Sequence, residues 1–214
     1  MLATGTAVSK RLLRHQLPRY SLPTTANHPA LPSSSANSCH HRHPRCRCFS
    51  STMNHTTKQR TGRCSCGQVQ YTLTGDPLIV HACHCTDCQT LTGSAFVLNA
   101  WTEATNVQVK GELKQAPLPS GSGNTQTLHY CPHCSTTVFS NYTRPETVFL
   151  RVGTLDDPSS CPPDVHIFTR ARLKWLNVDT DAQQFEAYYN PKELWSKSSL
   201  ERWKALKEQR RSKL

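Results

Sequence analysis

The sequence predicts a mainly β fold, braced by bound metal and closed by a C-terminal helix. Three features predict it. Short β-prone runs alternate with turns, seven of the eleven cysteines stand in tight ligand spacings, and residues 191–211 carry apolar side chains at helical intervals. The chain has 214 residues, which suits one domain with appendages.

Residues 1–57 are rich in Ser, Thr, Pro, His and Arg and poor in large apolar residues. Such a leader cannot bury enough surface to offset its ordering entropy, so disorder is expected. It is also acid-free and Arg-rich, the composition of a mitochondrial transit peptide, with Arg11, Leu12, Leu13 and Arg14 on a short amphipathic turn. A translation start at Met53 is an equally good reading, because it would begin just ahead of the first cysteine pair.

The domain proper is expected over residues 58–190. The run Gln68-Val69-Gln70-Tyr71-Thr72-Leu73-Thr74 alternates, and Gly75-Asp76-Pro77 supplies a turn after it. Further strands are expected at 78–82, 94–100, 107–110, 136–140 and 147–152. Residues 117–124 are rich in Pro, Gly and Ser and read as a loop. Each strand offers little aliphatic surface, so metal would have to help hold the sheets together. Residues 191–211 follow as one helix, with Pro191 in its first turn and Leu194, Trp195, Leu200, Trp203 and Leu206 forming a face that docks on the domain.

Charge bounds the partners. The formal net charge of +11 sits at the ends: residues 1–60 carry +9 and residues 192–214 carry +5, whereas residues 61–191 carry −3. A phosphate-backbone footprint on the domain is therefore not expected. No run is long and apolar enough for a membrane span, and no secretory signal is visible. In a reducing compartment, closely spaced cysteines read as metal ligands rather than disulfides.

The cysteines fall into two groups. Cys64-x-Cys66 and Cys131-x-x-Cys134 are two pairs that together satisfy a tetrahedral zinc, a closed structural site. Cys83, Cys85 and Cys88 have no fourth cysteine nearby, and three protein ligands with an open position is the arrangement of a catalytic zinc. The competing reading is an inert site completed by His84, His81 or His133. Two zinc ions per chain are expected.

The same residues resemble a known family. Gly62-Arg63-Cys64-Ser65-Cys66-Gly67-Gln68-Val69, Cys83-His84-Cys85-Thr86-Asp87-Cys88-Gln89 and Gly93-Ser94-Ala95-Phe96 are similar to segments of the glutathione-dependent formaldehyde-activating enzymes, a family that includes the centromere protein V group. Cys131-Pro132-His133-Cys134, the run from Gly153 to Pro158, the run from His166 to Arg170, and Trp175 continue the match. The resemblance implies a β-tent fold, a structural four-cysteine zinc, a catalytic three-cysteine zinc, and carbon–sulfur lyase activity on a glutathione–aldehyde adduct such as S-hydroxymethylglutathione. Glutathione would be the thiol co-substrate. The sequence departs from the family at Ser135, where glycine is usual.

Three thiolates around Zn²⁺ leave a net charge of −1, which suits a thiol ligand better than hydroxide generation. Around that site Asp87 and Gln89 are candidate supports for the ligands, with a local turn the preferred role for Asp87. Ser94 is expected to start a strand, His166 to be a hydrogen-bonded structural histidine, and Arg170 or Arg172 to meet a glutathione carboxylate. A non-catalytic zinc-stabilised interaction module, or a lyase on another thiol adduct, stays open at this point. The terminal Ser212-Lys213-Leu214 matches a peroxisomal import signal read by an import receptor, in competition with the mitochondrial leader.

Overall fold

Two sheets organise the chain in the computed structural model, which describes residues 58–178 and 180–212. The leader over residues 1–57, and Lys213 and Leu214 of the tail, lie outside the described residues. The smaller sheet is antiparallel, ordered β1 (Gln59–Arg63), β2 (Gln70–Thr74), β5 (Val107–Lys110).

The larger sheet has eight strands. Those before the first sheet is complete are β3 (Ile79–Cys83) and β4 (Val97–Glu103). Then come β6 (Lys114–Pro119), β7 (Thr125–Tyr130), β8 (Thr137–Asn141) and β9 (Thr147–Arg151). The short β10 (Val165–Ile167) and β11 (Gln183–Gln184) finish it. Their spatial order is β11-β10-β3-β4-β9-β8-β7-β6, with β10 parallel to β3 and β11.

The pleat of β3, β4 and β9 divides the interior. Successive side chains on a strand point to opposite faces. Val80, Ala100, Leu150 and Val152 therefore join one apolar cluster, which also holds Cys64, Cys131, Val69 and Leu73. Ile79, Cys83, Trp101 and Phe149 join the other, where Cys85 and Cys88 pack at the edge. The two groups of cysteines thus belong to different cores, with the central strands between them.

Among the described residues three α-helices decorate the sheets: α1 (Thr86–Thr92), α2 (Pro191–Leu194) and α3 (Lys197–Arg211). The C-terminal segment docks as expected, with Leu194, Leu200, Trp203 and Leu206 against the second core. Trp101 stacks on Phe149 at 5.0 Å and meets Trp195 and Trp203 edge-on at 5.1 and 5.0 Å. The segment is two helices, however, where one was expected. Trp195 is extended so that its indole N–H donates to the Tyr189 hydroxyl at 2.9 Å. Ser196 then caps the second helix by accepting from the Ser199 N–H at 3.1 Å.

The expected loop at 117–124 is also corrected, since Pro117 and Pro119 lie in β6. Strand β6 is at the sheet edge, where a proline need not remove a ladder hydrogen bond. The true loop is the short turn between β6 and β7.

Candidate metal centres

The four-cysteine group is assembled by two tight backbone loops. Cys64 follows β1, and its N–H donates to the Val69 carbonyl at 2.9 Å while the Val69 N–H donates to Cys64 Sγ at 3.3 Å. Gly67 closes this loop in the left-handed region, with φ of 76°. The second loop mirrors the first: the Cys131 N–H donates to the Thr136 carbonyl and the Ser135 N–H to the Cys131 carbonyl. Ser65 and Thr136 join the two loops through a 2.8 Å hydroxyl contact. The Cys134 thiol is drawn down to about 5, first by the Thr136 hydroxyl and then by the Thr136 backbone N–H.

The sulfur spacing fits a tetrahedral metal. Cys64 Sγ lies 3.5 Å from Cys66 Sγ, and Cys66 Sγ lies 3.7 Å from Cys131 Sγ. All four sulfurs fall within 4.8 Å of one another. A zinc with Zn–S near 2.3 Å demands edges of about 3.8 Å. A disulfide would need about 2.05 Å, and all eight described cysteines are free thiols. Four soft donors in this arrangement match the ligand set of a closed zinc site.

Ser135 takes φ of 59°, a left-handed conformation that glycine adopts without steric cost. A serine held there is strained by its Cβ, but the loop and its ligands keep their places.

The three-cysteine group sits at the junction of β3 and α1. Cys83 ends β3, paired with Val97 of β4 and Ile167 of β10, and is buried. Cys85 is the N-cap of α1, where its sulfur accepts the Cys88 N–H at 3.4 Å. The helix then returns Cys88 over the cluster. Cys83 Sγ and Cys85 Sγ are 3.5 Å apart, again a metal-like edge. The Cys85 thiol is drawn down to about 2, first by hydrogen bonds from Cys83 and Cys88 and then, against desolvation, by the backbone N–H groups of Cys88 and Asp87. Three sulfurs with a capped, thiolate-favouring member can hold a metal and leave one position for a ligand.

No histidine completes this group among the described residues. His84 is fully buried, and its Nε2 shares a 2.9 Å hydrogen bond with Nδ1 of His166, the two rings stacked at 5.2 Å. His81 Nε2 bonds the Tyr189 hydroxyl at 2.6 Å. Burial pushes His81 and His84 down to about 4, so both are neutral near pH 7. His133 lies between Cys131 and Cys134, in the other loop. The hydrogen-bonded structural reading of His166 is the one the geometry matches.

The remaining candidates sort by their contacts. Gln89 donates to the carbonyls of His84 at 2.7 Å and Ala171 at 2.9 Å, pinning the chain between Cys83 and Cys85. Asp87 is not a local turn residue. Its carboxylate accepts the Gly121 N–H at 2.7 Å and ties α1 to the β6–β7 turn. Ser94 is exposed and precedes β4 rather than starting it. Arg172 donates to Gln184 at 2.8 Å, and Arg170 is exposed.

Two residues that the sequence reading passed over lie near enough to feel the cluster's charge. The Tyr142 phenol is pushed up by burial and then by the sulfurs of Cys88 and Cys83. Arg151 is buried at the end of β9, and an arginine inside the apolar run Thr147-Val148-Phe149-Leu150 to Val152 was the available signal. Two surface clefts lie elsewhere. One of about 480 Å³ is lined by residues of β1, β2 and β5, and one of about 800 Å³ lies between α3 and the end of β4; no cysteine lines either.

A family model described as glutathione-dependent formaldehyde-activating enzyme matches residues 59–171, over half of the chain and across all seven ligand cysteines. The chain belongs to this family. It is thereby associated with glutathione-linked activation of formaldehyde. No curated protein matches it. A solved Rhodobacter sphaeroides protein, a Northeast Structural Genomics target, aligns at 16% identity over 47% of this chain and 93% of its own, with a TM-score of 0.35, too low to carry an argument.

Proposed function

We propose that the chain is a zinc-dependent carbon–sulfur lyase that makes and breaks glutathione–aldehyde adducts of the S-hydroxymethylglutathione type. The observation that carries this reading is the three-sulfur group of Cys83, Cys85 and Cys88, which has no fourth protein ligand among the described residues. It stands beside a separate group of four that is complete.

A zinc ion bound by the three sulfurs would supply a place for a thiolate, lowering the thiol pKa and stabilising the leaving sulfur. The chain's own residues do the positioning. The start of α1 holds the Cys85 sulfur in place, since it accepts the Cys88 N–H there. Gln89 fixes the backbone of His84 between two of the ligands. The His84–His166 pair fills the space behind them without offering a competing ligand. Burial of Cys83 keeps water from that side.

The tail supports a further part of the proposal. Ser212-Lys213-Leu214 is an address for a peroxisomal import receptor, and the leader is the competing mitochondrial address. A fluorescent protein fused ahead of a free Leu214 on the chain begun at Met53 should enter peroxisomes, and cytosolic retention would remove that assignment.

The enzymatic test uses the full chain loaded with zinc. With glutathione and ¹³C-formaldehyde, exchange between free and adduct carbon should accelerate well beyond the spontaneous rate. A panel of larger aldehydes then sets the substrate class. Spontaneous rates with every aldehyde would overturn the lyase reading and favour a non-catalytic zinc module.

A further inference from the structure

Arg151 carries a buried charge for which no carboxylate is supplied among the described residues. It is 7% exposed and enters no ion pair among the described residues. Its Nη1 donates to Asn99 Oδ1. Its Nε and Nη2 are buried and have no hydrogen-bond partner among the described residues. A guanidinium in such a position is costly unless something anionic faces it, and its unmade hydrogen bonds add to that cost.

Strand register places it on the face of the sheet that carries the cluster. Arg151 of β9 pairs with Asn99 of β4, which pairs with His81 of β3. The three side chains form one row on one face of the sheet, and Cys83, two residues past His81, lies on that same face. Cys88 closes over it from α1. Burial lowers the guanidinium pKa, and the charges of Cys88, Tyr142 and Cys83 oppose that change, as expected of groups in one buried neighbourhood.

We propose that Arg151 is a catalytic residue of the three-cysteine site, using Nε and Nη2 to hold the adduct oxygen that becomes an alkoxide as the C–S bond forms or breaks. The proposal rests on the lyase reading. In the breaking direction the adduct hydroxyl loses its proton, its electron pair forms the C=O bond, and the C–S pair leaves with the sulfur. The proton ends on the released thiol, so an adduct RS–CH₂–OH gives RSH and formaldehyde with no oxidant or reductant. The planar fork of a guanidinium meets an oxyanion through two donors, which an ammonium cannot do. Asn99 is a positioning residue, since it holds Nη1 and so fixes the plane of the guanidinium.

Binding of two small thiols to the zinc-loaded full chain tests this without turnover. Mercaptoacetate places an anionic oxygen close to its sulfur, and mercaptoacetamide places a neutral one there. Calorimetry should show the wild type preferring mercaptoacetate by about ten-fold or more, as for a charge-assisted hydrogen bond. Arg151→Met should erase the preference while zinc content stays unchanged, and Arg151→Lys should keep part of it. Equal binding of both thiols to the wild type overturns the inference and leaves the lyase reading standing. So does a preference that survives in Arg151→Met. Binding of neither thiol overturns the lyase reading and this inference with it. Should Arg151→Met fail to fold, Arg151→Lys decides: a reduced preference supports the inference and an undiminished one overturns it, because lysine keeps the charge and loses the two-donor fork.

Discussion

The four-cysteine and three-cysteine groups use the same donor atom at the same spacing, yet their surroundings differ in kind. The first is built from two separate loops joined through Ser65 and Thr136, so it cross-links the start of the domain to its middle. The second arises from one short stretch, Cys83 to Cys88, at a strand–helix junction, with Tyr142 and Arg151 brought up to it from other elements. A centre that joins distant segments contributes to folding. A centre gathered from one segment, with three sulfurs and no fourth protein ligand among the described residues, is suited to a ligand. Ligand count and the origin of the ligands in the chain thus separate the two groups in the same way.

The largest test of this contrast is Cys131→Ser. Loss of a structural zinc withdraws apparent binding energy of about 10–16 kcal/mol, as large as the stability of a typical domain, which is about 5–15 kcal/mol. Circular dichroism and thermal melts should show an unfolded chain. Cys85→Ser should instead melt within a few degrees of wild type and lose adduct turnover by about a thousand-fold or more, the scale seen when a key group of a reacting site is removed. Equal loss of folding in both would erase the distinction.

A smaller effect belongs to neither centre and calibrates the others. Glu103 is buried, and desolvation raises its pKa, but hydrogen bonds of 2.7 and 2.5 Å from Arg202, its own backbone N–H, the Arg202 charge and the Thr102 hydroxyl together hold it below the usual carboxylate value. A depressed folded-state pKa gives stability that is present above the unfolded value, near 4.3, and lost as pH falls through the folded value. Arg202→Gln should therefore cost about 1–2 kcal/mol near pH 7 in denaturant titrations. The gap to wild type should close below about pH 4.

The smallest effect sits in the four-cysteine loop itself. Ser135→Gly relieves a left-handed serine worth about 1 kcal/mol. It should raise the melting temperature by a few degrees and leave turnover unchanged. A fall in melting temperature would mean that the serine hydroxyl, rather than the backbone, matters there.

Legibility followed element length and residue chemistry. The sequence divides the seven cysteines into the same two groups that the structure gathers, because ligand spacing is carried by residue type alone. Strand β5 was readable to the residue, and β2, β3, β8 and β9 to within two. Strands β10 and β11, of three and two residues, are too short to show alternation. Helix α1 buries none of its residues completely, so it has no apolar stripe, and its ends are set by the Cys85 cap and left-handed Gly93. Proline content hid β6, because an edge strand tolerates what a central one does not. The role of Asp87 depends on a contact across 34 residues, and the placement of Arg151 depends on a three-strand register. Neither is visible in a local reading.

One chain is expected to hold two metal centres with different duties. Elemental analysis of the purified full chain, beside Cys85→Ser, separates this from a single centre. The expected result is about two zinc ions per wild-type chain and one in a folded Cys85→Ser chain. A single zinc in the wild type, unchanged in Cys85→Ser, would contradict it.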